Sequence, residues 1–240
     1  MGDRLTSVRR VLTESPAEQI VERLAAELER AYGIRRTELY QVDYRLAELL
    51  PLGGGESLTD PGHPAWRCFD HQSDVVHDGT CWLPVTMRGE RTGVLALSPP
   101  PEVERSELIE VATLLAHELA TAGAGTDRYL TAARARRLTL AAEMQWELLP
   151  GRSRARPSFS LAGQLEPAYA VRGDSFDWAD DSGRLWLSVV NGSGEGVEAS
   201  ALTALGTYAL RNARRAGIAL ADQAALADQA VYAYHRGGRP

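Results

Sequence analysis

The chain has 240 residues, 44% of them hydrophobic and 24% charged, with a formal net charge of −6 at pH 7. That length and balance suit two soluble globular domains and exclude a disordered chain, and no apolar run approaches the ~20 residues that cross a bilayer. Two cysteines, Cys68 and Cys81, are too few for a disulfide framework, so a reducing, cytoplasmic setting is expected.

Residues 1–14 are expected to be an N-terminal tail, whose arginines have no apolar core behind them and so exclude a secretory signal. A helix should start at Ser15-Pro16-Ala17-Glu18, with Ser15 as N-cap, Pro16 in the first helical position and Glu18 completing a capping box. Ile20, Val21, Leu24, Ala25 and Leu28 supply its apolar stripe, which ends near Gly33. Strands are expected over 37–42 and 44–50, followed by a loop built on Pro51, Gly53, Gly54, Gly55, Pro61 and Pro64. Three more strands, 74–77, 81–87 and 92–97, come next, the last two joined by the turn Arg88-Gly89-Glu90-Arg91. A helix over 104–122 closes a domain of α+β class spanning 15–122.

His63, Cys68, His71, His77 and Cys81 fall within 19 residues of that domain. Cys-x2-His followed by His-x3-Cys can supply four ligands to a tetrahedral zinc, or soft ligands to a redox or haem sensor. The spacing matches no established zinc finger, and ordinary loop and core residues are the alternative.

Residues 123–156 form a connector. Leu108, Val111, Leu115 and Leu119 recur at helical spacing in the helix before it, and Gly123 and Gly125 interrupt. Thr126 or Asp127 can then cap a second helix over 129–149, with Leu138, Ala141, Met144, Gln145 and Leu148 near one face. End to end the two helices would reach ~65 Å at ~1.5 Å per residue. Such a connector either forms a homodimer as a short coiled coil or packs on its own domains. Pro150-Gly151 ends the helix and 151–156 is a linker. This stretch is basic: 126–156 hold 7 arginines against 3 acidic side chains, while 1–125 hold 12 against 20. It lacks interleaved aromatics and any nucleic-acid-binding motif, so it is expected to be a solvated face, with neither nucleic acid nor membrane as partner.

Beyond 157, a strand over 158–165 and a second over 168–171 lead into Arg172-Gly173-Asp174. The turn Asp181-Ser182-Gly183 makes a hairpin into 185–190. Asn191-Gly192-Ser193-Gly194-Glu195-Gly196 then opens onto a helix through about 216, and an alanine-rich helix over 218–236 follows. An acid at the end of one strand and a glycine loop at the end of its neighbour are the parts of a metal-assisted phosphate site. Hard divalent cations take carboxylate, amide and carbonyl oxygens. Asp174 offers a carboxylate, Asn191 an amide oxygen, Gly192 a backbone carbonyl and Asp177 a weaker second acid, while Gly194 and Gly196 let the backbone approach metal or phosphate. Ordinary acidic turns before a helix-entry loop would look the same. A nucleotide-binding loop is a further alternative, although the Lys-Ser/Thr of a P-loop is missing.

Two resemblances attach to these motifs. The run TCWLPVTMRGERTGVLALS resembles the end of a GAF domain. That likeness, over about 100 residues, implies an antiparallel sheet with flanking helices and a ligand-binding or dimerising sensor whose ligand is unknown. The runs AAEMQWELLP, LEPAYAVRGDSFDW and LSVVNGSGEGVEASAL resemble the opening of a SpoIIE/RsbU-type domain, from the metal-dependent, type 2C-like (PPM) serine/threonine protein phosphatases. This second likeness implies the first part of a PPM-type α/β/β/α sandwich over 157–240, incomplete at about half such a domain. It also implies Mn or Mg as cofactor and a phosphoprotein partner of the anti-sigma-factor-antagonist type. Asp174 falls on a family metal ligand, Asp177 on the second acid of that motif, and Gly192, Gly194 and Gly196 on the loop glycines. Two positions depart from the pattern: Arg172 stands where it has glycine, and Asn191 where the second metal-ligating aspartate belongs. An amide still coordinates but lacks the full negative charge, which weakens a two-metal site. Two readings stay open: a sensor-controlled phosphoric monoester hydrolase in bacterial signal transduction, and a catalytically inactive phosphatase-like sensor or dimerisation module.

Overall fold

Alternation sets the architecture of the first half. Strands β1 (Thr37–Val42), β2 (Leu49–Pro51), β3 (Val75–His77), β4 (Thr80–Met87) and β5 (Glu90–Leu97) form an antiparallel sheet in the order β2-β1-β5-β4-β3. Leu39, Leu83, Val85, Leu95 and Leu97 point to one face, and Tyr40, Val42, Trp82, Val94 and Ala96 to the other. Both faces are buried. The first is covered by α1 (Gly2–Glu14), α2 (Ile20–Tyr32) and α4 (Arg105–Ala122), the second by α3 (Pro64–His71) with Leu49. The result is a mixed α+β fold with an antiparallel sheet and flanking helices.

The computed structural model describes residues 2–181 and 183–237, which divide into two compact units. One takes the chain up to Ala135 together with Ser153–Ala162; the other takes Arg136–Arg152 and the chain from Gly163 on. Met1 of the expected tail, Ser182 of the expected hairpin turn and 238–240 of the expected last domain lie outside the described residues.

Several expectations are corrected in the first unit. The tail is helix α1, because Val8 and Leu12, four residues apart, enter the core. Ser15 therefore sits at the end of a helix, and its hydroxyl donates back to the Val11 carbonyl at 2.5 Å instead of capping the next one. The expected strand over 44–50 shrinks to β2. The fully buried carboxylate of Asp43 accepts backbone N–H bonds from Arg45, Ala47 and Glu48 at 2.8–3.1 Å, which turns the chain there. Helix α3 lies inside the expected loop: the His63 ring accepts the Ala65 N–H at 3.1 Å and Pro64 takes the first helical position. At the β4–β5 turn Arg88 and Gly89 both have positive φ, 54° and 92°, the conformation that suits a two-residue hairpin.

The expected connector helix over 129–149 is two short helices, α5 (Arg128–Ala132) and α6 (Leu140–Leu148). Helix α5 is held to the first unit, where buried Tyr129 donates its hydroxyl to the Ala17 carbonyl at 2.7 Å. Helix α6 starts afresh at Thr139, whose hydroxyl accepts the Ala142 N–H at 3.2 Å. The stripe Leu108, Val111, Leu115 and Leu119 is buried in the core of the first unit, and Leu138, Ala141, Gln145 and Leu148 are buried in the second. The faces read as a dimer seam are thus occupied within their own units.

The expected linker over 151–156 contributes β6 (Ser153–Arg156), which pairs with β7 (Phe159–Ala162) in a hairpin of the first unit. Ser153 N–H donates to the Glu90 carboxylate at 2.7 Å, and the Arg91 N–H to the Ser153 hydroxyl at 3.3 Å. The expected boundary at 157 runs through this hairpin. In the second unit, β8 (Ser175–Asp181) pairs antiparallel with β9 (Arg184–Val190), and α7 (Gly196–Arg215) and α8 (Leu220–Gly237) follow. No strand forms over 168–171, where the Ala168 carbonyl instead accepts the Trp146 indole N–H at 2.8 Å. Among the described residues, no helix is long and apolar enough to cross a membrane.

Candidate functional site

In the second unit the two motifs meet at the open end of the β8–β9 hairpin. Ser175 pairs with Val190, so Asp174 and Asn191 flank that pair side by side, and both are exposed. Asp174 therefore enters β8 and does not leave a preceding strand, as the sequence had suggested.

Two glycines hold this corner together. A Cβ on Gly192 would run into the Gly173 carbonyl and lie 2.6 Å from the Thr203 hydroxyl. Gly173 has φ +97° and packs against Ala199. Thr203 donates its hydroxyl to the Gly173 carbonyl, which ties the corner to α7. Gly194 and Gly196 also have positive φ, 98° and 74°, and carry the loop into that helix.

Asp177 does something else. Alternation puts it on the opposite face of β8 from Asp174. Its carboxylate, only 2% exposed, accepts from Arg211 at 2.7 and 3.1 Å and from Arg214 at 3.1 Å. Both oxygens are taken by guanidiniums, so Asp177 locks β8 onto α7 and is not free to serve as the second acid of a metal site. The arginines were missed from sequence, although Arg211 and Arg214 at i, i+3 on α7 are the signal that one helix face carries both.

The donor set left at the corner is the Asp174 carboxylate, the Asn191 amide oxygen and the Gly192 carbonyl. These are oxygen donors of the kind hard cations take, with a single carboxylate among them. Among the described residues, no three His, Cys, Asp or Glu side chains are grouped so as to hold a metal ion.

Among the described residues, the five His and Cys residues proposed as ligands do not come together as a group of three or more that could hold a metal ion. His63 caps α3 and meets the Trp82 ring edge-on at 5.2 Å. Cys68 lies in the apolar cluster under α3, and Cys81 in the cluster on the other face of the sheet. Burial pushes the Cys68 thiol up to about 12 and raises that of Cys81. His71 is exposed at the end of α3, and His77 lies on β3, 3.2 Å from Asp78.

His63 carries a pH dependence. Burial lowers its pKa below the ordinary 6.5 and outweighs Asp60, which acts in the opposite sense, while His77 lowers it further. Below pH ~6.5 the unfolded chain takes up a proton that the folded ring refuses until its own, lower pKa, so stability falls with falling pH across that window. The His63→Asn variant keeps a capping acceptor and should flatten this part of the profile of Tm against pH, while leaving Tm above pH 7 nearly unchanged.

No family model matches the chain, and no curated protein matches it. Solved structures do. The GAF domain of a phosphoenolpyruvate-protein phosphotransferase from Acinetobacter is 16% identical, with a TM-score of 0.45 over 52% of this chain and 95% of that one. The GAF domain of the corresponding protein from Coxiella burnetii is 17% identical, with a TM-score of 0.44 over 50% of this chain and 93% of that one. A free methionine-R-sulfoxide reductase from Neisseria meningitidis, solved with its substrate, is 16% identical, with a TM-score of 0.44 over 52% and 90%.

Proposed function

We propose that the chain is a signalling regulator, with a GAF-type sensor as its first unit and a phosphatase-like module as its second, and that this module holds a single hard cation and does not by itself turn over phosphoserine. The observation that carries the reading is the corner at which Gly173-Asp174 and Asn191-Gly192 lie side by side, pinned by Thr203. Asp174 brings the one full negative charge, Asn191 an amide oxygen and Gly192 a carbonyl. A bound Mn or Mg ion polarises a phosphate oxygen and lowers the pKa of a water. With Asp177 paired to two arginines and asparagine at position 191, the module lacks the carboxylates that hold a second ion. The partner proposed from the sequence resemblance is a phosphoprotein of the anti-sigma-factor-antagonist type, bound and not hydrolysed.

A manganese-supplemented assay on a phosphoserine peptide tests this. The wild type should be silent, Asn191→Asp should gain turnover at least tenfold above background, and Asp174→Ala in that background should abolish it. Turnover by the wild type that disappears in Asp174→Ala would replace the proposal with an active phosphatase.

A further inference from the structure

The β6–β7 hairpin belongs to the first unit, although the chain on both sides of it, Arg136–Arg152 and from Gly163 on, belongs to the second. Its base is closed by the Gly163 N–H, which donates to the Arg152 carbonyl at 2.8 Å. That bond sets the alternation along β6: Arg154 and Arg156 turn their N–H groups towards β7, and Ser153 and Ala155 turn theirs outwards. On an edge strand such outward groups are left unpaired. Here the β4–β5 turn takes both. Ser153 donates to the Glu90 carboxylate at 2.7 Å and Ala155 to the Arg88 carbonyl at 3.3 Å. The Ser153 hydroxyl accepts the Arg91 N–H at 3.3 Å. Gly89 closes against this edge with φ +92°, and a Cβ on it would run into the Ala155 backbone nitrogen.

Within the second unit, β8 holds the residues at the hairpin's base. The Trp178 indole N–H donates to the Gly151 carbonyl at 3.1 Å. The Phe176 ring lies so close to Gly163 that a Cβ there would be 2.7–3.0 Å from three of its carbons. Phe176 and Trp178 alternate with Asp177 and therefore share the face of Asp174. A flexible linker would leave slack between two such anchors. From Gly151 to Ser153, however, the chain reaches at most about 7 Å when fully extended. A shift of the β4–β5 turn that carries Ser153 with it is passed on to Gly151, or one of these bonds breaks. We propose that the β6–β7 hairpin is a transmission strap, which carries displacements of the β4–β5 turn to β8 and so to Asp174 at the entrance of that strand. The strap stands independently of the proposed function; its effect at Asp174 rests on that reading.

Amide exchange on the full chain tests it, with Ala155→Pro and Glu90→Ala at one anchor and Trp178→Phe at the other. Ala155→Pro removes an outward N–H from an edge strand and leaves the hairpin's own rungs in place. It should speed exchange in β8 at least fivefold and leave α8 at the wild-type rate. Coupling is reciprocal, so Trp178→Phe should speed exchange of the Ser153 and Ala155 amides by a similar factor. Unchanged β8 exchange in Ala155→Pro, or an acceleration that α8 shares equally, overturns the strap. Unchanged Ser153 and Ala155 amides in Trp178→Phe overturn it too. Should Ala155→Pro fail to fold, Glu90→Ala, which removes a single acceptor, gives the same decision from β8 and α8. Titration with Mn2+ alone reads the Asp174 arm: an apparent Kd raised at least threefold in Ala155→Pro supports it, and an unchanged Kd removes it. If neither the wild type nor Asn191→Asp takes up Mn2+, the metal reading falls, and β8 exchange still decides the strap.

Discussion

Asp177→Ala should cost the second unit about 3–5 kcal/mol, the usual loss when one member of a buried ion pair is removed. The substitution leaves the guanidiniums of Arg211 and Arg214, 13% and 16% exposed, facing each other with no anion between them. The loss is large against a domain stability of about 5–15 kcal/mol. This unit also has little apolar packing in reserve: apart from Gln145, the largest fully buried side chains all belong to the first unit. Urea unfolding of the full chain, followed through Trp178 and Trp186 on the β8–β9 hairpin, should show an early transition in the variant that is absent from the wild type. Arg214→Met should cost less, since Arg211 still pairs with the carboxylate. Replacing all three groups together, as Asp177→Leu with Arg211→Met and Arg214→Met, should recover most of the loss, because a well-packed apolar set carries no desolvation penalty. If Asp177→Ala is as stable as the wild type, the triad does not hold β8 to α7.

The triad also shows where reading the sequence stops. Asp174 and Asn191 were legible as neighbours because a hairpin around 181–184 brings its two open ends together, and that pairing is local. Asp177 was not legible as an ion-pair partner, because its arginines come from 34 and 37 residues away and nothing in an Asp-rich strand says which carboxylate turns inward. The main strands of the first unit were visible from their β-branched and aromatic residues and from the Arg88-Gly89-Glu90-Arg91 turn. Helix α3 was hidden because Pro61 and Pro64 look like breakers, whereas Pro64 in fact starts a helix behind His63. Helix α1 was hidden because its arginines and other polar residues leave only Leu5, Val8, Val11 and Leu12 as apolar positions. For the connector, periodicity identified the apolar faces correctly but not what covers them: a stripe such as Leu108, Val111, Leu115 looks the same whether a partner chain or the protein's own sheet buries it.

Gly93→Ala should destabilise the first unit by roughly 3 kcal/mol or more, at the upper end of overpacking costs. Gly93 sits in β5 at the pairing of both neighbouring strands, opposite Gln41 of β1 and Val85 of β4. A Cβ there would run into the Tyr40 carbonyl oxygen, and would lie 3.0 Å from its carbon and 3.1 Å from the Gln41 Cα. These are backbone atoms in the centre of a sheet, so no side chain can swing away, and relief requires β1 and β5 to separate along their ladder. The neighbouring register shift at Val85/Thr86, which the Thr92 hydroxyl bridges by donating to the Val85 carbonyl at 2.8 Å, confines the strand further. Gly53→Ala provides the control: a Cβ there meets nothing within 4 Å, and the change should stay within about 0.5 kcal/mol of wild type. Thermal unfolding of the two variants side by side separates a steric requirement at position 93 from a general effect of replacing glycine, and equal Tm values for both would show that the β1–β5 pair accommodates a methyl group.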